Sequence, residues 1–141
     1  MSIRIITGDW EAMKERARPI RHDVFVREQQ VPVELEWDEM DAPSLHALAL
    51  DAEGKAIGTA RLLPDGHIGR MAVLKEARGR GVGSALLAAL MQAARQQGVN
   101  EVVLSAQRHA ESFYRRHGFE PYGAEYAEAG IPHIEMRCRL G

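Results

Sequence analysis

Apolar residues recur along this chain in two periods, and the switches between them mark out the elements. Ile3 to Ile6 is a short apolar run that predicts a strand, and Asp9 then offers a side-chain oxygen to cap a helix carrying Trp10, Met13, Ala17 and Ile20 on one face. Pro19 falls inside that pattern. A proline removes a backbone donor and strains the preceding turn, so a kink or two helical pieces are predicted between Asp9 and Glu28, the second bearing Ile20, Val24 and Phe25. Val31 to Pro43 has no period and is bracketed by Pro32 and Pro43, which predicts a long loop able to hold one helical turn. Two apolar runs follow, Leu45 to Leu50 and Ala56 to Leu63, joined by the turn-forming Asp51-Ala52-Glu53-Gly54-Lys55. A third, His67 to Leu74, comes after Pro64-Asp65-Gly66, and the three read as an antiparallel meander.

Between Gly81 and Gln97 the period lengthens to that of a helix, with Val82, Ala85, Leu86, Ala89, Leu90 and Ala93 on one face and Gly98 as its C-terminal cap. Glu101 to Ala106 then predicts a strand, Ala110 to His117 a helix ending at Gly118, and Phe119 to Tyr122 the start of another strand. At the end Ile134, Met136, Cys138 and Leu140 alternate with His133, Glu135, Arg137 and Arg139, the period-two mark of a strand with one wet face. The order β-α-α-β-β-β-α-β-α-β-β is that of an α/β (α+β) mixed sheet with one parallel crossover through the Gly81 helix.

Composition narrows this picture. A chain of 141 residues, 45% hydrophobic and 27% charged, suits one domain over residues 1–141 with a core that needs no staples. The single cysteine, Cys138, excludes an internal disulfide framework and an all-cysteine zinc site, suits a reducing compartment, and reads as a small filler on the inward face of the last strand; no metal site is predicted. A net charge of −2 argues against a nucleic-acid binder. The N-terminus lacks the long apolar run and small-residue site of a signal peptide, and no stretch approaches the roughly 18 apolar residues of a membrane span, so a cytoplasmic protein is expected. The acids Glu34, Glu36, Asp38, Glu39 and Asp41 read best as an ordinary solvated loop, with a negative mouth attracting a cationic substrate as the alternative.

The chemistry is concentrated in Met71-Ala72-Val73-Leu74-Lys75-Glu76-Ala77-Arg78-Gly79-Arg80-Gly81-Val82-Gly83-Ser84, where a strand runs through a glycine-rich turn directly into a helix. Glycines at 79, 81 and 83 let backbone N–H groups approach a ligand closely, and the helix N-terminus supplies free donors and a partial charge of roughly +0.5, suited to phosphate. Lys75, Arg78 and Arg80 add fixed positive charge. Taken alone, the glycines serve turn geometry as readily as a ligand. The segment lacks the lysine of a P-loop, and both G-x-G registers miss the third glycine of a dinucleotide fingerprint.

What it does match is R-x-x-G-x-G at Arg78, Gly81 and Gly83, and here the sequence resembles the GNAT superfamily of N-acetyltransferases. The resemblance covers nearly the whole chain, through the element order, the Met71-Ala72-Val73 strand and the later block Ala110-Glu111-Ser112-Phe113-Tyr114-Arg115-Arg116-His117-Gly118-Phe119. Val24-Phe25-Val26-Arg27-Glu28-Gln29, the Asp38 to Asp41 stretch and Glu128-Ala129-Gly130-Ile131-Pro132-His133 are similar to the ElaA/YjcF-like subgroup. The resemblance implies an enzyme that moves an acetyl or other acyl group from acyl-coenzyme A, typically acetyl-CoA, to a primary amine by direct attack in a ternary complex. Its cofactor contacts would be the strand backbone at Met71, Ala72 and Val73, Arg78, the turn amides of Gly79, Arg80, Gly81, Val82, Gly83 and Ser84, and Gln107, which stands where many members have asparagine. A bulge in the fourth strand would open a V-shaped gap for the thioester, and a strand-four amide would face the acyl carbonyl.

Tyr114 stands where the family often has a tyrosine that protonates the departing thiolate, with a core aromatic as the plainer reading, while Phe113 reads as core. The carboxylate that members often carry on strand four or five is missing from His67 to Val73 and Val102 to Ser105, which leaves Glu28, His67, His109 and His133 as candidate bases. The acceptor is expected to be a small-molecule amine or a protein or peptide amine, and a homodimer is expected by the same resemblance. The competing class is a module that binds acyl-coenzyme A without turning it over. A nucleotide-binding domain of another fold would have to bind ATP or NAD instead.

Overall fold

Asp9 does cap the first helix: its Oδ1 accepts from the Ala12 amide at 2.9 Å. In the computed structural model, which describes residues 2–36 and 38–140, that helix, α1 (Trp10–Arg21), follows a short strand, β1 (Arg4–Gly8). Met13, Ala17 and Ile20 line its buried side at helical spacing, and Val24 extends the stripe. Pro19 does not break the helix. The chain passes through it and loosens at His22–Glu28 into a wider turn, in which the Gln29 amide reaches back five residues to the Val24 carbonyl at 3.0 Å. The expected loop holds one helical turn, α2 (Val33–Glu36), and a 3₁₀ turn at Glu39–Asp41 opened by the Asp38 side chain on the Met40 amide.

The remaining elements are β2 (Leu45–Leu50), β3 (Ala56–Leu62), β4 (His67–Val73), α3 (Val82–Gln96), β5 (Glu101–Gln107), α4 (Glu111–Arg116), β6 (Glu120–Glu128) and β7 (Ile131–Arg139). They form one seven-stranded sheet of order β1-β2-β3-β4-β5-β7-β6, antiparallel throughout except for β4 beside β5. Helix α3 is the right length to cross back over the sheet between those two parallel strands.

Two cores lie on opposite faces. Leu48, Leu50, Ala72 and Leu74 pack under α1, and Ala47, Ala60, Leu62, Val102, Leu104 and Met136 pack under α3. Leu86, Leu87 and Leu90 of α3 are wholly removed from solvent, each stabilising the fold by about 2 kcal/mol. Gly58 lets α3 come this close: a Cβ there would lie 2.8 Å from Val82 Cγ1 and 3.3 Å from the Ala72 carbonyl oxygen. Cys138 packs against the α3-side core, as its alternation predicts, and Phe113 joins it from α4. No helix among the described residues is long and apolar enough to cross a membrane.

Candidate active site

The sheet opens at its centre. Among the described residues, β4 and β5 pair only at His67 with Val103 and Ile68 with Leu104, after which the strands part. The cause lies on the other edge of β4. Arg61 faces Gly69 and Thr59 faces Ala72, so β4 spends three residues where β3 spends two, and the extra residue, Arg70, takes a left-handed φ of 49°. Such a bulge bends its strand away from the straight ladder. Past it, Met71 turns to the α3 side, where its Sδ lies 3.9 Å from the Tyr114 hydroxyl, and Arg70 turns to the α1 side.

Arg70 is held by a charge network assembled from four parts of the chain. Arg21 on α1, 1% exposed, binds Glu36 through its Nε, the Glu36 carbonyl at 2.8 Å and the Asp41 carboxylate at 2.8 and 3.1 Å. Arg61 on β3 donates to Asp41 at 2.9 Å and, with two nitrogens, to Asp38 at 2.6 and 2.8 Å, and Asp38 in turn accepts from Arg70 at 3.0 Å. The Arg61 hydrogen bond and the neighbouring Arg61 and Arg70 charges hold the Asp38 carboxyl below its ordinary range. His46 Nε2 donates to the Asp41 carbonyl at 2.8 Å, and burial pushes its pKa down. This corrects the solvated-loop reading for three of the five acids: Glu36 and Asp41 are 3% and 2% exposed and, with Asp38, are matched by arginines, while Glu34 and Glu39 stay exposed. Those three form no open negative mouth either, since three arginines face them.

Next to the gap lies the glycine turn. Gly79 and Gly81 adopt φ of 78° and 80°, values that L side chains rarely take, although a Cβ at either would meet no atom within 4 Å. Their requirement is thus one of backbone conformation, and the space beside them is open. Gly81 caps α3 with no side-chain hydrogen bond to the helix amides, so the first-turn donors of Val82, Gly83 and Ser84 point outward without a side-chain cap. Ser84 uses its hydroxyl elsewhere, 3.0 Å from His117 Nε2. The turn therefore fits an anionic group such as a pyrophosphate. Arg78 is differently occupied from a phosphate ligand: it clamps Glu28 with two nitrogens at 2.6 and 2.7 Å and donates to the Val73 carbonyl at 3.0 Å, tying the wide helical turn to the end of β4.

Tyr114 reaches the gap from α4. Burial against Phe113, Phe119 and Met71 pushes its phenol up to about 12. Gln107, at the end of β5, exchanges hydrogen bonds with the Gln29 side chain at 2.9 and 3.4 Å and meets His109 Nε2 at 2.5 Å. Of the candidate bases, Glu28 is committed to Arg78, whose hydrogen bond holds its carboxyl below the ordinary range, and His67 sits with Asp65 on exposed surface at the start of β4. His133 is buried, with Nδ1 2.7 Å from the Ile131 carbonyl.

The sequence profile of the acetyltransferase (GNAT) domain matches residues 12–140. This chain belongs to the GNAT family. It is 39% identical over 136 residues to the uncharacterized N-acetyltransferase YjcF of Bacillus subtilis, covering 94% of this chain and 96% of that one. An acyl-CoA N-acyltransferase from Pseudomonas aeruginosa has the same fold with a TM-score of 0.87 at 32% identity, covering 97% and 99% of the two chains. ElaA of Escherichia coli superposes with a TM-score of 0.87 at 27% identity over the same shares. The ElaA/YjcF-like resemblance is thereby shown.

One further group lies at the gap of this GNAT domain and escaped the sequence reading. Ser105 of β5, directly across from Glu135 of β7, shares a hydrogen bond with the Tyr126 hydroxyl of β6, and that hydroxyl donates to Glu135 Oε1 at 3.3 Å. Glu135 had shown only as one polar position in an alternating strand. Nothing local marks it, because its neighbours come from two other strands.

Proposed function

We propose that this GNAT protein transfers an acetyl or other acyl group from acyl-coenzyme A to the nitrogen of a primary amine by direct attack, with both molecules bound at once. The observation that carries the reading is the gap between β4 and β5, lying between an uncapped glycine turn and a half-buried tyrosine. The turn amides from Gly79 to Ser84 would hold the pyrophosphate, and the parted edge of β4 at Met71, Ala72 and Val73 would bind the pantetheine arm as an added strand. When bound, the cosubstrate supplies an activated acyl thioester. Tyr114 does the protein's part on the sulfur side: its burial keeps Oη protonated at neutral pH, and the phenol can hand that proton to a sulfur leaving group. Met71, Phe113 and Phe119 pack around the tyrosine on that side.

Calorimetric titration with acetyl-coenzyme A, followed by a thiol-release assay over a panel of primary amines, tests this. Wild type should bind saturably, and a Gly81→Glu, Gly83→Glu variant should not, while keeping its circular dichroism. Tyr114→Phe should bind normally but turn over about 10²- to 10⁴-fold more slowly. Binding without turnover in both wild type and Tyr114→Phe would identify a module that binds acyl-coenzyme A without using it.

A further inference from the structure

Alternation along β5 and β7 divides their side chains between the two faces of the sheet. Val102, Leu104 and Ala106, with Ile134 and Met136, join the core under α3, on the side from which Tyr114 also packs. Ser105 and Glu135 therefore stand on the opposite face. Ser105 is the first β5 residue past Leu104, the last one paired with β4, so it sits at the lip of the gap. Tyr126 reaches both because β6 spends four residues, Tyr122 to Tyr126, where β7 spends two, Glu135 to His133.

The carboxylate at the centre of this group is incompletely satisfied. Glu135 Oε1 accepts from Tyr126, but Oε2 is buried with no hydrogen-bond partner. Leaving a buried charged acceptor unpaired is among the more expensive features a fold can carry. The cations that could have quenched it are turned elsewhere. Arg137, two residues on along the same face, lies 5.1 Å over the Tyr122 ring, His133 Nε2 faces Glu128 at 3.5 Å, and Arg108 pairs with Glu111 and Glu125. Among the described residues no side chain forms an ion pair with Glu135.

We propose that Ser105, Tyr126 and Glu135 form the binding site for the acceptor's ammonium group, which makes the acceptor a primary amine captured as its cation. An ammonium carries three donors and a positive charge. Glu135 Oε2 takes one donor with charge assistance, and Ser105 Oγ, when it donates to Tyr126, keeps lone pairs for another. Tyr126, bonded to both, fixes their spacing. The ammonium is thus held on the face of the sheet opposite Tyr114. The inference rests on the gap being the acyl-transfer site, but the ammonium site can be tested without any transfer.

The probe is n-butylammonium chloride, titrated into the ¹⁵N-labelled full chain and followed by amide chemical shifts, with n-butanol as the uncharged analogue. Wild type should show saturable shifts centred on Ser105, Tyr126 and Glu135, with none from n-butanol. Glu135→Gln, of the same shape without the charge, should weaken the ammonium about tenfold or more, and Ser105→Ala about threefold, with acetyl-coenzyme A affinity unchanged in both. The proposal is overturned if wild type shows no saturable shift, if the shifts centre elsewhere, if n-butanol binds as well, or if Glu135→Gln binds the ammonium as tightly. Should Glu135→Gln fail to fold, localisation in wild type and the Ser105→Ala loss decide. Failure of acetyl-coenzyme A binding with ammonium capture intact would strike the acyl-transfer reading and leave this site standing.

Discussion

Replacing Arg21 with methionine should be one of the most damaging single changes available in this protein. The guanidinium makes four contacts with Glu36 and Asp41, and it is the only partner that the Glu36 carboxylate has among the described residues. Asp41 keeps Arg61 at 2.9 Å, whereas Glu36 is left as a charge 3% exposed with nothing opposite it. Removing one member of a buried pair costs roughly 3–5 kcal/mol, most of it the penalty of the stranded partner. For a chain of 141 residues that amounts to a loss of roughly 10–15 °C in Tm. Urea denaturation at pH 7 gives the free energy, and the same measurement on Arg21→Met with Glu36→Gln gives the coupling. Because the double variant no longer buries an unpaired charge, it should recover at least about 1.5 kcal/mol of the single variant's loss. A single-variant loss below about 1 kcal/mol, or strictly additive effects, would show that these groups are hydrated and independent and would refute the buried-network account.

Two other consequences can be measured in the same way. Gly58→Ala would drive a Cβ to 2.8 Å from Val82 and 3.3 Å from the Ala72 carbonyl, so it should destabilise by about 1–3 kcal/mol, and an unchanged denaturation midpoint would mean that α3 does not rest on β3 as described. Burial lowers the His46 pKa below its ordinary 6.5, so the unfolded chain takes up that proton first. The contribution of His46 is whole above about pH 6.5 and is lost as pH falls through its folded value; His46→Gln should flatten the decline between pH 7 and pH 5, and an unaltered slope would refute the assignment. Asp38, depressed by Arg61, adds a second loss only below its ordinary 3.8, well separated from the first.

The elements that sequence made visible are those whose signals are local. Helix α3 has an apolar stripe, a glycine in left-handed conformation before it and Gly98 after it, and its bounds differ from the expected ones by a residue at each end. The glycine turn was visible because Gly79 and Gly81 carry positive φ, a property written in the residue type itself. The bulge was foreseen only through the family resemblance. Its position at Arg70 shows no local mark, because an arginine at φ 49° reads like any other polar residue in an alternating strand. The acidic stretch misled for a related reason. Glu36, Asp38 and Asp41 look solvated until Arg21, Arg61 and Arg70 are brought to them from 15 to 32 residues away, by packing that no window along the chain reports. Glu135 was hidden by topology, since it gains its meaning only when β7 inserts between β5 and β6.

That topology bears on how the acceptor is chosen. Glu36, Asp38 and Asp41 are neutralised in place by arginines and brace Arg70 at the bulge, so of the five acids before β2 the exposed Glu34 and Glu39 are the two left to draw a cation in from a distance. In the proposed acceptor site, selection of a cationic amine happens at contact, through a Glu135 carboxylate oxygen that no side chain among the described residues satisfies. Contact selection by one buried oxygen and a serine hydroxyl reads the ammonium and little else of the molecule behind it. On that proposal the groups that distinguish one amine from another lie further out along the same face, where Tyr122 stands across from Glu135 and Gln29 holds Gln107, and substitutions there should change which amine is preferred without changing the need for an ammonium.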